Sequence, residues 1–218
     1  NLRLGGKSRE GAAFGGPQVY GDQRGNEKQG LPGNRYQFQF LRAHDVYQSL
    51  TPSQQQAAVL EKAPIQTQIE PQGVGGQFPG IPVEELSSQS TALITGLVDS
   101  MLSTYASADA AYAWQCIEHN GGVDSLFISY YEEGEVDHSG QFQIFRLEGP
   151  GSVFHFLGYP HVHGFINVAM DAENPLSLGE IIARNPTPIS GSGIKSLFEA
   201  TMISASAGDF AYYPDESV

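Results

Sequence analysis

Val153-Phe154-His155-Phe156-Leu157-Gly158-Tyr159-Pro160-His161-Val162-His163-Gly164-Phe165-Ile166-Asn167 decides the fold. Apolar and polar residues alternate on both sides of a Gly-Tyr-Pro turn, which is the pattern of two antiparallel strands joined by a hairpin. Side chains along a strand point alternately to opposite faces. Phe154, Phe156, Val162, Ile166 and Val168 therefore share one face, a core face that helices can cover. A three-residue loop, Gly158 to Pro160, pairs Leu157 with His161 and His155 with His163. His155, His161 and His163 then lie on the other face, two of them directly opposite at about 5 Å between Cβ atoms. A five-residue loop keeps this parity and a two-residue loop breaks it; Gly158 suits the three-residue form. The expectation is that the histidine face looks toward a pocket or solvent. Asn167 shares that face, and Arg146 and Glu148 on the preceding strand are expected to orient an imidazole or bound water there.

Outward from the hairpin, Leu126–Tyr131, Phe142–Leu147, Val153–Leu157 and His161–Ala169 read as consecutive antiparallel strands. Helices precede them. Leu93, Leu97, Met101 and Tyr105, with Ile94, Val98 and Leu102 beside them, predict an amphipathic helix over 88–105. Ser107 is read as the cap of the next helix, through Ala110, Trp114 and Ile117, stopping at Gly121-Gly122. Thr51-Pro52-Ser53-Gln54 is a capping box with Pro in the first turn, opening a helix through Ala57, Ala58 and Leu60. Tyr36, Phe38 and Phe40 alternate with Gln and read as a strand; Leu41, Val46 and Tyr47 turn helical. Residues 64–82 hold four Pro and four Gly and read as a loop or surface crossing. A short helix is expected around Ile194, Leu197, Phe198 and Met202. Helices followed by a β-meander make the fold α+β: an antiparallel meander packed against helices, with a Gly-rich N-terminal arm. The arm spans 1–35 and one domain spans 36–218. Ala12, Ala13, Phe14, Val19 and Tyr20 are its anchor residues.

Composition narrows the function. The 218 residues carry 11 Lys and Arg against 24 Asp and Glu, a net charge of −13. That argues against nucleic acid and anionic membrane surfaces as partners, since both demand positive potential. No apolar run reaches membrane-spanning length. One cysteine, Cys116, excludes a disulfide framework within the chain and reads as an inert buried thiol. Few charged residues, 26 Gly, and a start at Asn1 without Met fit a processed, exported bacterial protein, periplasmic or extracellular.

Three imidazoles without a thiolate suit copper, zinc or ferrous iron, and a histidine-only site with an open position binds water, O₂ or peroxide. The first expectation is a mononuclear copper site at His155, His161 and His163, with zinc second, in an oxidative enzyme or a copper carrier. The alternatives are an extracellular assembly protein whose arm reaches a neighbouring subunit, forming a homo-oligomer, and a zinc-dependent hydrolase with Glu148 as base. His44 reads as structural, with a fourth-ligand role as the alternative. His119 reads as a helix C-terminal dipole contact, and His138 as an exposed turn residue. Glu132, Glu133, Glu135 and Asp137 lack calcium-loop spacing and read as a solvated turn.

Three stretches resemble an uncharacterised bacterial family, largely of exported proteins, catalogued only as a domain of unknown function. They are Gly11-Ala12-Ala13-Phe14-Gly15-Gly16-Pro17-Gln18-Val19-Tyr20-Gly21, then Arg42-Ala43-His44-Asp45-Val46-Tyr47-Gln48-Ser49-Leu50-Thr51-Pro52, then Phe145-Arg146-Leu147-Glu148-Gly149-Pro150 running into Phe154-His155-Phe156 and Pro160-His161-Val162-His163. The elements that carry them cover about three quarters of the chain. The resemblance implies an exported location and an intact 145–168 unit; it implies no activity. In that family His commonly follows the first Tyr-Gly, whereas Asp22 stands here, so any ligand role at that position is changed or lost.

Overall fold

The computed structural model describes residues 12–14, 17–20, 37–66, 69–133, 142–158 and 162–173, all within one compact unit. The expected helix near Ile194 lies outside them. The fold is α+β. Its centre is the predicted antiparallel meander: β5 (Phe127–Tyr131), β6 (Ile144–Gly149), β7 (Ser152–Leu157) and β8 (Val162–Ala169). Short strands extend both sides. β3 (Val59–Leu60) runs parallel to β5, and β4 (Ile81–Pro82) pairs antiparallel with it. β1 (Ala12–Phe14) and β2 (Pro17–Tyr20) pair antiparallel with β8. The anchor stretch of the arm is thus held by ladder hydrogen bonds to the chain's own sheet.

One face of the sheet is apolar for the reason alternation gives. Ile128, Tyr130, Phe145, Leu147, Phe154, Phe156, Val162, Ile166 and Val168 are buried in a single cluster with helix residues. Those helices are α1 (Gln37–Ser49), α2 (Pro52–Ala58), α3 (Ser88–Leu102) and α4 (Ser107–His119). α3 contributes Ile94, Leu97, Val98, Met101 and Leu102, all buried. The capping box is present: Thr51 Oγ1 accepts from the Gln54 amide at 3.4 Å, and the Thr51 amide donates to Gln54 Oε1 at 3.0 Å. α2 stops at Ala58, two residues short of expectation, because Val59 and Leu60 leave to pair with Tyr130 and Tyr131. Ser107 is the first helical residue of α4, and Ala106 takes the cap position without a side-chain bond. Gly121 and Gly122, with φ of 104° and 70°, end that helix as read.

Of the strand expected at 36–40, residues 37–40 instead form the first turn of α1, and Tyr36 lies outside the described residues. Phe40, Ala43, Val46 and Leu50 are buried at helical spacing, while Phe38 is 40% exposed. The alternation misleads because Gln39 is itself buried. Its Nε2 donates to the Ser100 carbonyl on α3 at 3.0 Å, so a polar residue faces inward with a partner.

The sheet's second face is covered as well. The segment between β3 and β4 crosses it, and the crossing is tied down mostly through polar and backbone groups. The Gly73 amide donates to Pro150 O at 3.0 Å and the Val74 amide to Ala172 O at 3.0 Å. Phe78 packs on Phe127 with ring centroids 5.4 Å apart. Gly80 closes the crossing at a φ of 97°, against the Ile128 carbonyl of β5.

Candidate functional site

Residues directly opposite in a ladder share a face, so register alone sets the rows of the second face. Ser129, Arg146, His155 and Phe165 form one row across β5 to β8. Phe127, Glu148, Val153 and Asn167 form the next. Tyr131, Ile144, Leu157 and His163 form a third.

His155 and His163 thus share a face, as the parity required. The expected direct pairing does not occur. Leu157 stands opposite His163, and His155 opposite Phe165, two residues beyond the expected register. This is the register of the five-residue loop, and it sets the two imidazoles diagonally. His161 lies outside the described residues. Among the described residues no group of three or more His, Cys, Asp or Glu is placed to hold a metal ion.

The crossing segment lies over this face, so its centre at Arg146, Glu148 and His155 is buried while His163, Phe165 and Asn167 stay partly exposed. His163 Nδ1 and Gln66 Oε1 are hydrogen-bonded at 3.0 Å. Asn167 Nδ2 donates to Ile69 O at 3.0 Å. Gln72 Nε2 donates to Glu148 Oε2 at 3.3 Å. Sequence reading missed Gln66, Gln72 and Ile69, since contacts through amides and a carbonyl follow no period. It expected a crossing without seeing what the crossing would cover.

Beneath this cover lies a buried polar cluster. Arg146 Nη1 meets Glu148 Oε2 at 3.1 Å, with only 7% and 2% of the two side chains exposed. Arg146 Nε and Nη2, Glu148 Oε1, and both ring nitrogens of His155 are buried without a hydrogen-bond partner. His155 has no exposed surface. Burial, then the Arg146 charge, then His163 push its pKa down to about 3, so the ring is neutral. Burial raises the pKa of Glu148 above the usual carboxylate range, against the pull of Arg146 and Gln72. Tyr131 and Phe165 flank His155, with centroids 6.5 Å and 6.0 Å away. Burial also raises the Tyr131 hydroxyl, which accepts from Ser129 Oγ at 3.0 Å.

The other singled-out residues stand apart. His44 lies on α1, on the helix side of the sheet, so it does not join His155 and His163 as a fourth ligand. His119 occupies the last turn of α4. His138 lies outside the described residues. Cys116 is fully buried and its pKa is pushed up to about 11 by burial, as an inert thiol requires. No helix among the described residues is long and apolar enough to cross a membrane.

Compared with protein-family models, curated proteins and solved structures, the chain matches none.

Proposed function

We propose that this chain is an exported metal-binding protein, copper before zinc, that holds its ion with histidines on the second face of the sheet. The observation that carries the reading is His155. It is a neutral imidazole with no exposed surface and no hydrogen bond at either nitrogen, on the same face as His163. An unpartnered buried polar ring is costly, and a metal ion takes up one of its nitrogens. The Gln66 contact at His163 Nδ1 supports the same reading, because a partner on one ring nitrogen orients the imidazole on the face it shares with His155. His161, which sequence alternation assigns to this face, is the third proposed ligand. Histidine-only ligation leaves a position for O₂ or peroxide, so the proposed activity is oxidative, with copper carriage as the other use of the same site. The assembly reading has less support, since β1 and β2 pair within their own chain.

Element analysis of the full chain, purified without chelator and after incubation with Cu(II) or Zn(II), tests this. About one ion per chain is expected, with nitrogen hyperfine structure in the Cu(II) resonance spectrum. His163→Ala, folded by circular dichroism, should lose it. A folded wild-type chain that retains neither metal overturns the reading.

A further inference from the structure

We infer that Arg146 and His155 form a recognition site for a small carboxylate on the second face of the sheet. The inference rests on the Arg146 edge, which the metal proposal does not use, shares only His155 with that proposal, and does not need an ion.

Glu148 occupies Arg146 Nη1 only. The atoms left over, Nε and Nη2, are the two donors of the side-on edge of the guanidinium. Their N–H bonds are parallel and coplanar, the geometry that takes both oxygens of one carboxylate. Buried polar atoms are nearly always partnered, and two orphaned donors on one rigid edge point to one bidentate acceptor. Had Glu148 been the intended bidentate partner, it would take that edge. Instead its Oε2 is shared between Arg146 Nη1 and Gln72 Nε2.

The surroundings fit the same ligand. His155 stands directly across the ladder from Arg146, with its nitrogens unpartnered, and supplies a further donor to a carboxylate oxygen. Ser129 flanks Arg146 on the other side of the same row, but its hydroxyl is used by Tyr131. Tyr131 and Phe165 flank the His155 ring, with centroids 6.5 Å and 6.0 Å away, so the polar edge lies in apolar surroundings where an ionic contact is strong. The Glu148 charge leaves the fork available while offsetting the cost of the buried guanidinium. The ligand class is therefore a small monocarboxylate, seated between the sheet and its crossing segment. A buried water can satisfy single atoms of this cluster, but one water does not bridge the fork with matching charge.

The test is a titration of the full, ¹⁵N-labelled chain, freed of metal, with acetate and with formate in chloride buffer. The Arg146 Nε–Hε signal, assigned through bonds, is followed directly. A saturable shift of the Arg146 signal is expected, with the other arginine side-chain signals unmoved. Arg146→Lys keeps the charge and loses the fork, so acetate binding by calorimetry should weaken at least about tenfold. The wild-type signal decides the matter even where that variant fails to fold. An Arg146 signal that stays still to about 100 mM acetate, far above a useful Kd, means water alone fills the site and overturns the inference. So does a shift that chloride reproduces. Metal content plays no part in this readout, so a failed metal reading and a failed carboxylate site are separate results.

Discussion

His155 stands directly across the β6–β7 ladder from Arg146, and both are buried. Burial first, and then the permanent cation of Arg146, keep the imidazole neutral in the fold. The unfolded chain has neither the burial nor the neighbour, and there the ring takes a proton near the ordinary pKa of 6.5. Between pH 6.5 and about 3 the unfolded state therefore binds the extra proton. The stability that neutral His155 contributes is full above that window and is lost as pH falls through it, by up to about 1.4 kcal/mol per pH unit. Urea unfolding from pH 7 to pH 5 should show wild type weakening more steeply than His155→Asn. Glu148, with its raised folded pKa, acts in the opposite sense, losing stability as pH rises above the ordinary carboxylate value. Parallel slopes for the two proteins would show that His155 takes its proton in the fold as readily as in the unfolded chain.

Glu148→Gln leaves the Arg146 charge buried without its counter-charge. Removing one partner of a buried pair costs about 3–5 kcal/mol, more than the pair itself is worth. Replacing both, as Arg146→Met with Glu148→Leu, should recover most of that loss. Denaturant midpoints of the single and double variants read the difference. A double variant no more stable than the single one would assign the loss to packing.

These residues also mark how far the sequence could be read. The meander was legible because Phe145, Leu147, Phe154, Phe156 and Ile166 alternate strictly, and a one-residue slip would turn them all outward. The shared face of His155 and His163 follows from the same parity. Their separation did not, because loops of three and five residues satisfy parity equally; the observed pairing of Leu157 with His163 belongs to the longer one. Phe38 and Phe40 read as a strand because nothing local reveals that Gln39 has a buried acceptor on a helix about sixty residues away. The cover over the histidine face was hidden for a related reason. Gln66, Ile69 and Gln72 hold it through amide and carbonyl groups that no hydrophobic period records.

The crossing segment owes its seat to Gly80. With φ at 97°, this position lies in backbone space that side-chain-bearing residues rarely enter, and a Cβ there would strike the Ile128 carbonyl. Ile128 is a fully buried residue of β5, so its backbone has little room to yield. Gly80→Ala should therefore destabilise the chain by about 2 kcal/mol or more, from strain and steric overlap together. The effect should be local as well as global. The crossing holds the Gln66 and Gln72 contacts to His163 and Glu148, so lifting its end loosens the cover of the polar cluster. Hydrogen exchange at 69–80 should accelerate in the variant more than exchange in α3, which packs on the opposite face. A control at Gly75, where an added Cβ meets nothing within 4 Å, should leave both unchanged. Equal acceleration across α3 and the crossing would mean that the crossing has no separate seat and opens only with the whole fold.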